Sequence, residues 1–289
     1  MKRQYYIAGR ILEITADFAP GLSDRIEWFK TEGKTPDFTV CFEKADYLSQ
    51  PQTPNISNDY DSKISAHEES DEIVQVFHEG LCGEMFAKAY LDYEGCRETI
   101  RYLERGLRQF GQMEDLFEWI GIDNLYAGLE TVILHAALIN ASGEGILFMG
   151  PSGAGKSTRA DLWRRYAGAE IINGDRVFVN KDSNGIWKAY GSPYAGSSGY
   201  YVNKDVTIRA VMSVKRGEAD EIRIQRITGA GAFGEVYRNV TVHQWNAAAV
   251  SAVSSVIRDM ILTVPVYEMI CPPDIRAVEN VRKELGMDR

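Results

Sequence analysis

Residues 146–158 read ILFMGPSGAGKST. An apolar run enters a glycine, four residues follow, and then come glycine, lysine and serine. Gly150, Ser152, Gly153, Ala154, Gly155, Lys156, Ser157 and Thr158 carry the spacing of a phosphate-binding loop. Glycines let the backbone turn its N–H groups inward around an anion. The following RADLWRRY has helical character and ends at Gly168, so a helix N-terminus would add its positive end to the cradle. Lys156 would reach the β- and γ-phosphates of a nucleotide. The Ser157 hydroxyl would ligate Mg²⁺. Strand, loop and helix in that order are what the motif requires, and the fold expected around it is α/β.

Working outward, Asp175 stands 19 residues after Lys156, between the strand-like EIING and RVFVNK. A returning strand would bring its carboxylate to the phosphates, where it could hold Mg²⁺ or accept a proton from an attacking hydroxyl. The plainer alternative is a strand-end Asp making a turn hydrogen bond. On the other side, LHAALIN, ASGE and ILFM read as strand, turn and strand. His135 begins the first of these strands. It is open to contact with phosphate, nucleotide or Asp175, or to an ordinary structural role.

The remaining chain gives less. Residues 4–14, QYYIAGRILEI, suggest one strand bulged at Gly9, and residues 37–45 another. Residues 49–70 are polar with two prolines and read as a long exposed loop. Residues 113–133 have helical spacing with a break at Gly121. DVTIRAVMSVKR and EIRIQRI look like the two arms of a hairpin. PPDIRAVENVRKELGM opens on Pro and Asp and reads as a capped helix. A boundary near residue 110 divides a strand-rich part, 1–110, from the part that holds every motif, 111–289.

The chain has 289 residues, 45% hydrophobic and 25% charged, with a formal net charge of −9. That is globular composition, and the acidic balance argues against a nucleic-acid or anionic-membrane partner. Cys41, Cys82, Cys96 and Cys271 form no CxxC pair and lie at no zinc spacing. They read as reduced thiols. With no apolar signal region after the basic start and no membrane-span-length run, a cytoplasmic location is expected.

Three further motifs are discounted. GAGAFGEVY at 229–237 has the glycines of a protein-kinase nucleotide loop, but no lysine strand, HRD or DFG follows. It reads as a helix behind Thr228. VNKD at 179–182 and again at 202–205 has the wrong spacing for guanine recognition. No LSGGQ-type segment is present, which demotes a transporter ATPase.

LHAALIN, ILFMGPSGAGKST and INGDRV, in this order, resemble the catalytic domain of HPr kinase/phosphorylase and its relatives, including the serine kinases of lasso-peptide precursors. The resemblance is firm over about 135–180 and looser through YGSPYAGSSGYYVNKD. It implies a phosphoenolpyruvate-carboxykinase-like P-loop kinase core of mixed sheets at 111–289, with a strand-rich N-terminal region that could recognise substrate. It implies ATP and Mg²⁺ as cofactors, with Gly150–Thr158 as the ATP loop. Ser157 and Asp175 would be metal ligands. Asp175 would be the base for a serine hydroxyl, flanked by Arg176 and assisted by His135 and Lys156. The acceptor would be a peptide or small-protein serine. True HPr kinases form rings, which leaves a homo-oligomer open here. The family has two adjacent acids where this chain has Gly174 and Asp175, which bears on reverse phosphorolysis. A small-molecule hydroxyl kinase and a non-catalytic ATP sensor or assembly protein stay as alternatives. The 191–196 loop, GSPYAG, reads either as a glycine-hinged lid or as a plain turn.

Overall fold

The computed structural model describes residues 1–57, 63–70, 72–80, 83–92 and 95–287. The chain forms two compact units. The first comprises residues 1–129 and 242–250, the second residues 130–241 and 251–289.

The first unit is built on an eight-stranded mixed sheet. Its elements are β1 (Lys2–Ile7), β2 (Arg10–Ala16), the single turn α1 (Asp24–Glu27), β3 (Lys30–Thr31), β4 (Phe38–Lys44), β5 (Ile64–Glu69), β6 (Glu72–His78), β7 (Met85–Asp92), β8 (Arg97–Tyr102), α2 (Met113–Trp119) and α3 (Ile122–Ala127). Strand order is β3-β1-β2-β4-β8-β7-β6-β5. The β2–β4 and β4–β8 pairs are parallel and the rest antiparallel. Its core is aromatic: Phe110 packs against Phe18, Phe42, Phe86 and Tyr102, and Trp119 against Phe77 and Phe86.

Two expectations change here. Residues 4–14 are not one bulged strand. Ala8 (φ 51°) and Gly9 (φ 79°) make a two-residue turn, and β1 and β2 pair as a hairpin. Residues 64–69 of the expected long loop form β5, an edge strand beside β6. Residues 58–62 of that loop lie outside the described residues, as does Cys82. Cys41 and Cys271 are buried free thiols, and Cys96 is exposed. The helical run expected over 113–133 breaks at Gly121, into α2 and α3, but its end belongs to a strand that begins at Val132.

The second unit contains β9 (Val132–Ala141), β10 (Glu144–Met149), α4 (Lys156–Ala167), β11 (Glu170–Asn173), β12 (Arg176–Lys181), β13 (Trp187–Tyr190), β14 (Asp205–Val214), β15 (Arg223–Ile227), α5 (Gly229–Tyr237), β16 (Val266–Ile270) and α7 (Ile275–Leu285). Helix α6 (Ala247–Thr263) starts in residues assigned to the first unit and continues into the second. The sheet runs β10-β9-β12-β13-β14-β16-β15, with β11 also on β9. A parallel β10–β14 pairing closes it back on itself. One face buries Ile139, Phe148, Met212 and Met269 beneath Trp163 of α4 and Val278 and Val281 of α7. Helix α7 is N-capped by the Asp274 carboxylate, which accepts from Arg276 N, as its sequence implied.

The expected hairpin of residues 205–214 with 223–227 is not formed. Strand β16 lies between them, parallel to β14 and antiparallel to β15. A parallel neighbour must arrive through a long connection, so local pattern cannot announce it. Both sheets are mixed, so the chain is α/β. Among the described residues no helix is long and apolar enough to cross a membrane.

Candidate functional site

The β9–β10 hairpin delivers residues 150–158 to the C-terminal end of β10, as its sequence implied. Gly150, Gly153 and Gly155 have φ of +146°, +73° and +95°. Side chains resist this backbone. A Cβ on Gly150 would also stand 2.8 Å from the Val214 carbonyl oxygen. The loop ends in α4, whose first turn has no side-chain cap. The N–H groups of that turn are left for an anion or solvent. Ser152, Ser157 and Thr158 are exposed, and Ala154 is half-buried.

Lys156 is buried, and its ammonium donates to the carbonyl oxygens of Gly150 at 2.8 Å and Pro151 at 3.3 Å. Burial lowers its proton affinity, and the negative charge of Asp175 partly restores it. Arg216 adds a second cation to the loop, its guanidinium 3.4 Å from Gly153 O.

Asp175 lies between β11 and β12. Both strands pair with β9 rather than with the loop's own strand β10. Antiparallel register sets Arg176 opposite His135, and Ala136 N donates to Asp175 O at 2.9 Å. His135 Nδ1 therefore comes to 3.2 Å from Asp175 Oδ1. Their hydrogen bond holds the Asp175 carboxyl below its ordinary range, against burial, which pushes it up. Arg176 Nε is 3.9 Å from the other carboxylate oxygen. The structure thus brings Asp175, His135 and Arg176 into one cluster, and the charge of Lys156 acts on the same carboxylate.

Gly174 has a steric reason. A Cβ there would stand 1.9 Å from Ser198 Oγ and 2.6 Å from Ser198 Cβ. The space beside Gly174 is filled by residues 195–200, whose Ser198 hydroxyl donates to Ala195 O at 2.7 Å. Gly196, at φ +54°, also presses on Asp175: a Cβ there would meet its Cγ at 2.8 Å.

Four residues that the sequence reading did not single out hold this arrangement. Buried Asn173 donates from Nδ2 to Ser192 O at 3.0 Å and Tyr194 O at 3.2 Å, and its Oδ1 accepts from Asp175 N at 2.9 Å. Ser192 Oγ donates to Arg176 O at 2.6 Å. The Arg176 guanidinium lies 4.8 Å from the centre of the Tyr194 ring. Asn239 ties the loop to His135: its Oδ1 accepts from Gly150 N at 3.1 Å and its backbone oxygen from His135 N at 2.7 Å. A polar residue ending the apolar strand EIIN was the available signal for Asn173. Asn239 had none, because it acts across the sheet from beyond α5.

The discounted GAGAFGEVY segment is helix α5, as expected. Its Glu235 is buried and accepts from Ser213 Oγ and Lys215 Nζ, each at 2.7 Å. It supports the strand end beside the loop and offers no second phosphate cradle.

Among the described residues, no group of three or more His, Cys, Asp or Glu side chains is arranged to hold a metal. The available oxygens, Ser157 Oγ and the Asp175 carboxylate, are hard donors of the kind Mg²⁺ takes when phosphates supply most of its shell.

No protein-family model matches the chain. Over 117 residues, 40% of this chain, it is 28% identical to ABC transporter G family member 4 of Dictyostelium discoideum, of whose length it spans 14%. Among solved structures it is similar to the Hpr(Ser) kinase/phosphatase from Coxiella burnetii, with 14% identity and a TM-score of 0.33 over 54% of this chain and 99% of that one.

Proposed function

We propose that the second unit is a Mg-ATP-dependent phosphotransferase, on a phosphoenolpyruvate-carboxykinase-like core, that phosphorylates a serine hydroxyl of a peptide or small protein. One observation carries this reading. A carboxylate held ionised by His135 sits in the field of the Lys156 ammonium, next to a glycine-built anion cradle.

The chemistry follows from the residues. Backbone N–H groups at the start of α4 would hold the β-phosphate, and Lys156 would exchange its carbonyl partners for phosphate oxygens. Bound Mg²⁺ would neutralise charge on the β- and γ-oxygens, with Ser157 and Asp175 as its protein donors. Asp175 would orient the acceptor hydroxyl and take its proton. A carboxylate with lowered proton affinity is a weak base, but phosphoryl transfer passes through a loose transition state in which the nucleophile needs little activation beforehand. Positioning and electrostatics supply most of the acceleration. His135 fixes which Asp175 oxygen faces the acceptor.

The close approach of Gly196 to Asp175 supports the lid reading of residues 191–196, and we extend that lid to Gly199. The first half is fastened by Asn173 and Ser192, and the second carries glycines at φ +54° and +71°. An acceptor would enter by swinging that second half aside. Slower hydrogen exchange over residues 195–200 on adding Mg-ATP together with an acceptor supports the lid, and unchanged exchange removes it.

The test of the function is transfer of γ-labelled phosphate to serine-containing peptides, with Asp175→Asn as control. Transfer to a free sugar, nucleoside or amino acid in place of peptide would establish the small-molecule reading. ATP binding without transfer to any acceptor would establish the sensor.

A further inference from the structure

The first unit contains a polar cavity that the nucleotide site does not use. On β6, β7 and β8, Ile73, Gln75, Ala89, Leu91 and Glu98 share one sheet face, by the pairings Gln75↔Ala89 and Leu91↔Glu98. Such a buried face is normally apolar throughout. Here Glu98 is 1% exposed and Gln75 4% exposed. Gln75 Oε1 has no hydrogen-bond partner among the described residues. Ala89 is too small to fill the space between them. The result is a cavity of about 250 Å³ lined by Gln75, Glu98, Ala89, Leu91, the exposed Glu72 and Trp245.

The cavity's walls are fixed. Both Glu98 oxygens lie 3.1 Å from Gly121 N. Gly121 is closely packed: a Cβ would meet Glu98 Oε1 at 3.1 Å and Asn124 Nδ2 at 3.3 Å, so these side chains would have to give way slightly. Residues 242–250, which carry Trp245, are pinned to α3. Asp123 Oδ2 accepts from His243 N at 2.8 Å and lies 2.8 Å from its Nδ1, and Asn246 Nδ2 donates to Asn124 Oδ1 at 2.7 Å.

Two carboxyls, the Gln75 and Asn246 amides and an indole line the space, and no Lys or Arg does among the described residues. Carboxylates with no cation opposite them, beside an aromatic face, select a cation. At about 30 Å³ per water-sized group, the volume holds a molecule of about eight non-hydrogen atoms. We propose that this cavity is a binding site for a compact primary amine, taken as its ammonium ion, with Glu98 accepting its N–H bonds beside the Gln75 amide and Trp245 covering its stem. The site belongs to the first unit alone and does not rest on the kinase reading.

Burial raises the Glu98 carboxyl to about 8, with Asp123 adding to the rise and His243 opposing it. Among the described residues that line the cavity, the one other charged side chain is Glu72. Amine binding therefore strengthens as pH rises toward 8, while a primary amine stays protonated to about 10.

The experiment is calorimetric titration of the full chain with n-butylamine at pH ~9, at fixed ionic strength. Matched titrations use 1-butanol and tetramethylammonium. The expected result is one-to-one binding of the amine, at least tenfold tighter than the alcohol and tighter than the cation that lacks N–H groups. Glu98→Gln weakens it at least tenfold and Gln75→Leu severalfold. Gln75→Leu restores an apolar sheet face, so it carries the test if Glu98→Gln does not fold. Asp175→Asn leaves amine binding unchanged. No saturable binding at millimolar amine overturns the proposal, which would leave the cavity to water. Equal affinity for alcohol and amine, or unchanged binding in every folded cavity variant, overturns it too.

Discussion

Gly174→Ala adds one methyl group beside Asp175, and the structure sets its cost. The new carbon would lie 1.9 Å from Ser198 Oγ and 2.6 Å from Ser198 Cβ. Turning the hydroxyl away removes only the first conflict, so residues 195–200 must shift. Overpacking of this kind costs about 1–3 kcal/mol. The shift also breaks the bonds from Ser198 Oγ to Ala195 O (2.7 Å) and from Tyr200 N to Ser198 Oγ (3.3 Å). Each is worth about 1 kcal/mol. The sum, roughly 3–5 kcal/mol, is a large part of a domain's stability. Ser198→Gly alone loses the two bonds but opens the space. Gly174→Ala with Ser198→Gly should then be no less stable than Ser198→Gly alone, a favourable coupling equal to the whole cost of Gly174→Ala, about 3–5 kcal/mol. Hydrogen exchange over β11 and β12, in the four proteins of the cycle, reads these differences for the second unit by itself. Gly174→Ala within ~0.5 kcal/mol of wild type, or no rescue by Ser198→Gly, would refute the steric account of the missing acid.

Other consequences can be checked in parallel. A Glu98 carboxyl that titrates near 8 folded against 4.5 unfolded makes the folded state the stronger proton binder between those values. Its stabilising contribution is complete below 4.5 and is lost as pH rises to 8, about 5 kcal/mol over three and a half pH units. Glu98→Gln should flatten this slope in hydrogen exchange of β7 and β8, and an unchanged slope would contradict a buried, raised carboxyl. His135→Ala removes a charge-assisted hydrogen bond worth about 1.5–3 kcal/mol, so transfer should slow roughly 10- to 100-fold. His135→Gln should recover part of it, and equal rates in all three proteins would make the histidine incidental. Lys156→Ala should weaken binding of a fluorescent ATP analogue roughly 10- to 100-fold on the same scale.

The phosphate loop and its surroundings were legible because each step is local. ILFM, the glycines and RADLWRRY succeed one another along the chain, and β9 and β10 are joined by a two-residue turn, Ser142–Gly143. The neighbourhood of Asp175 and His135 followed from strand order, although the pairing strand proved to be β9. What stayed hidden was set by distant partners. β16 enters between β14 and β15 after two helices, and Asn239 reaches Gly150 from 89 residues away. Nothing in the local sequence marks Glu98 as buried, because α3 and residues 242–250, which lie over it, are distant in sequence. Ala8 gave no sign of a turn because alanine rarely takes φ 51°. Gly174 read as a lost acid, and only the fold shows that Ser198 fills its place.

The central claim is tested most directly by transfer of label from γ-labelled ATP with Mg²⁺. Short serine peptides encoded beside this gene are the acceptors, HPr is the control, and Asp175→Asn is run against wild type. The account predicts label on a peptide serine, abolished by the substitution while ATP affinity is retained. ATP bound tightly with no label on any acceptor, or equal labelling by Asp175→Asn, would contradict it.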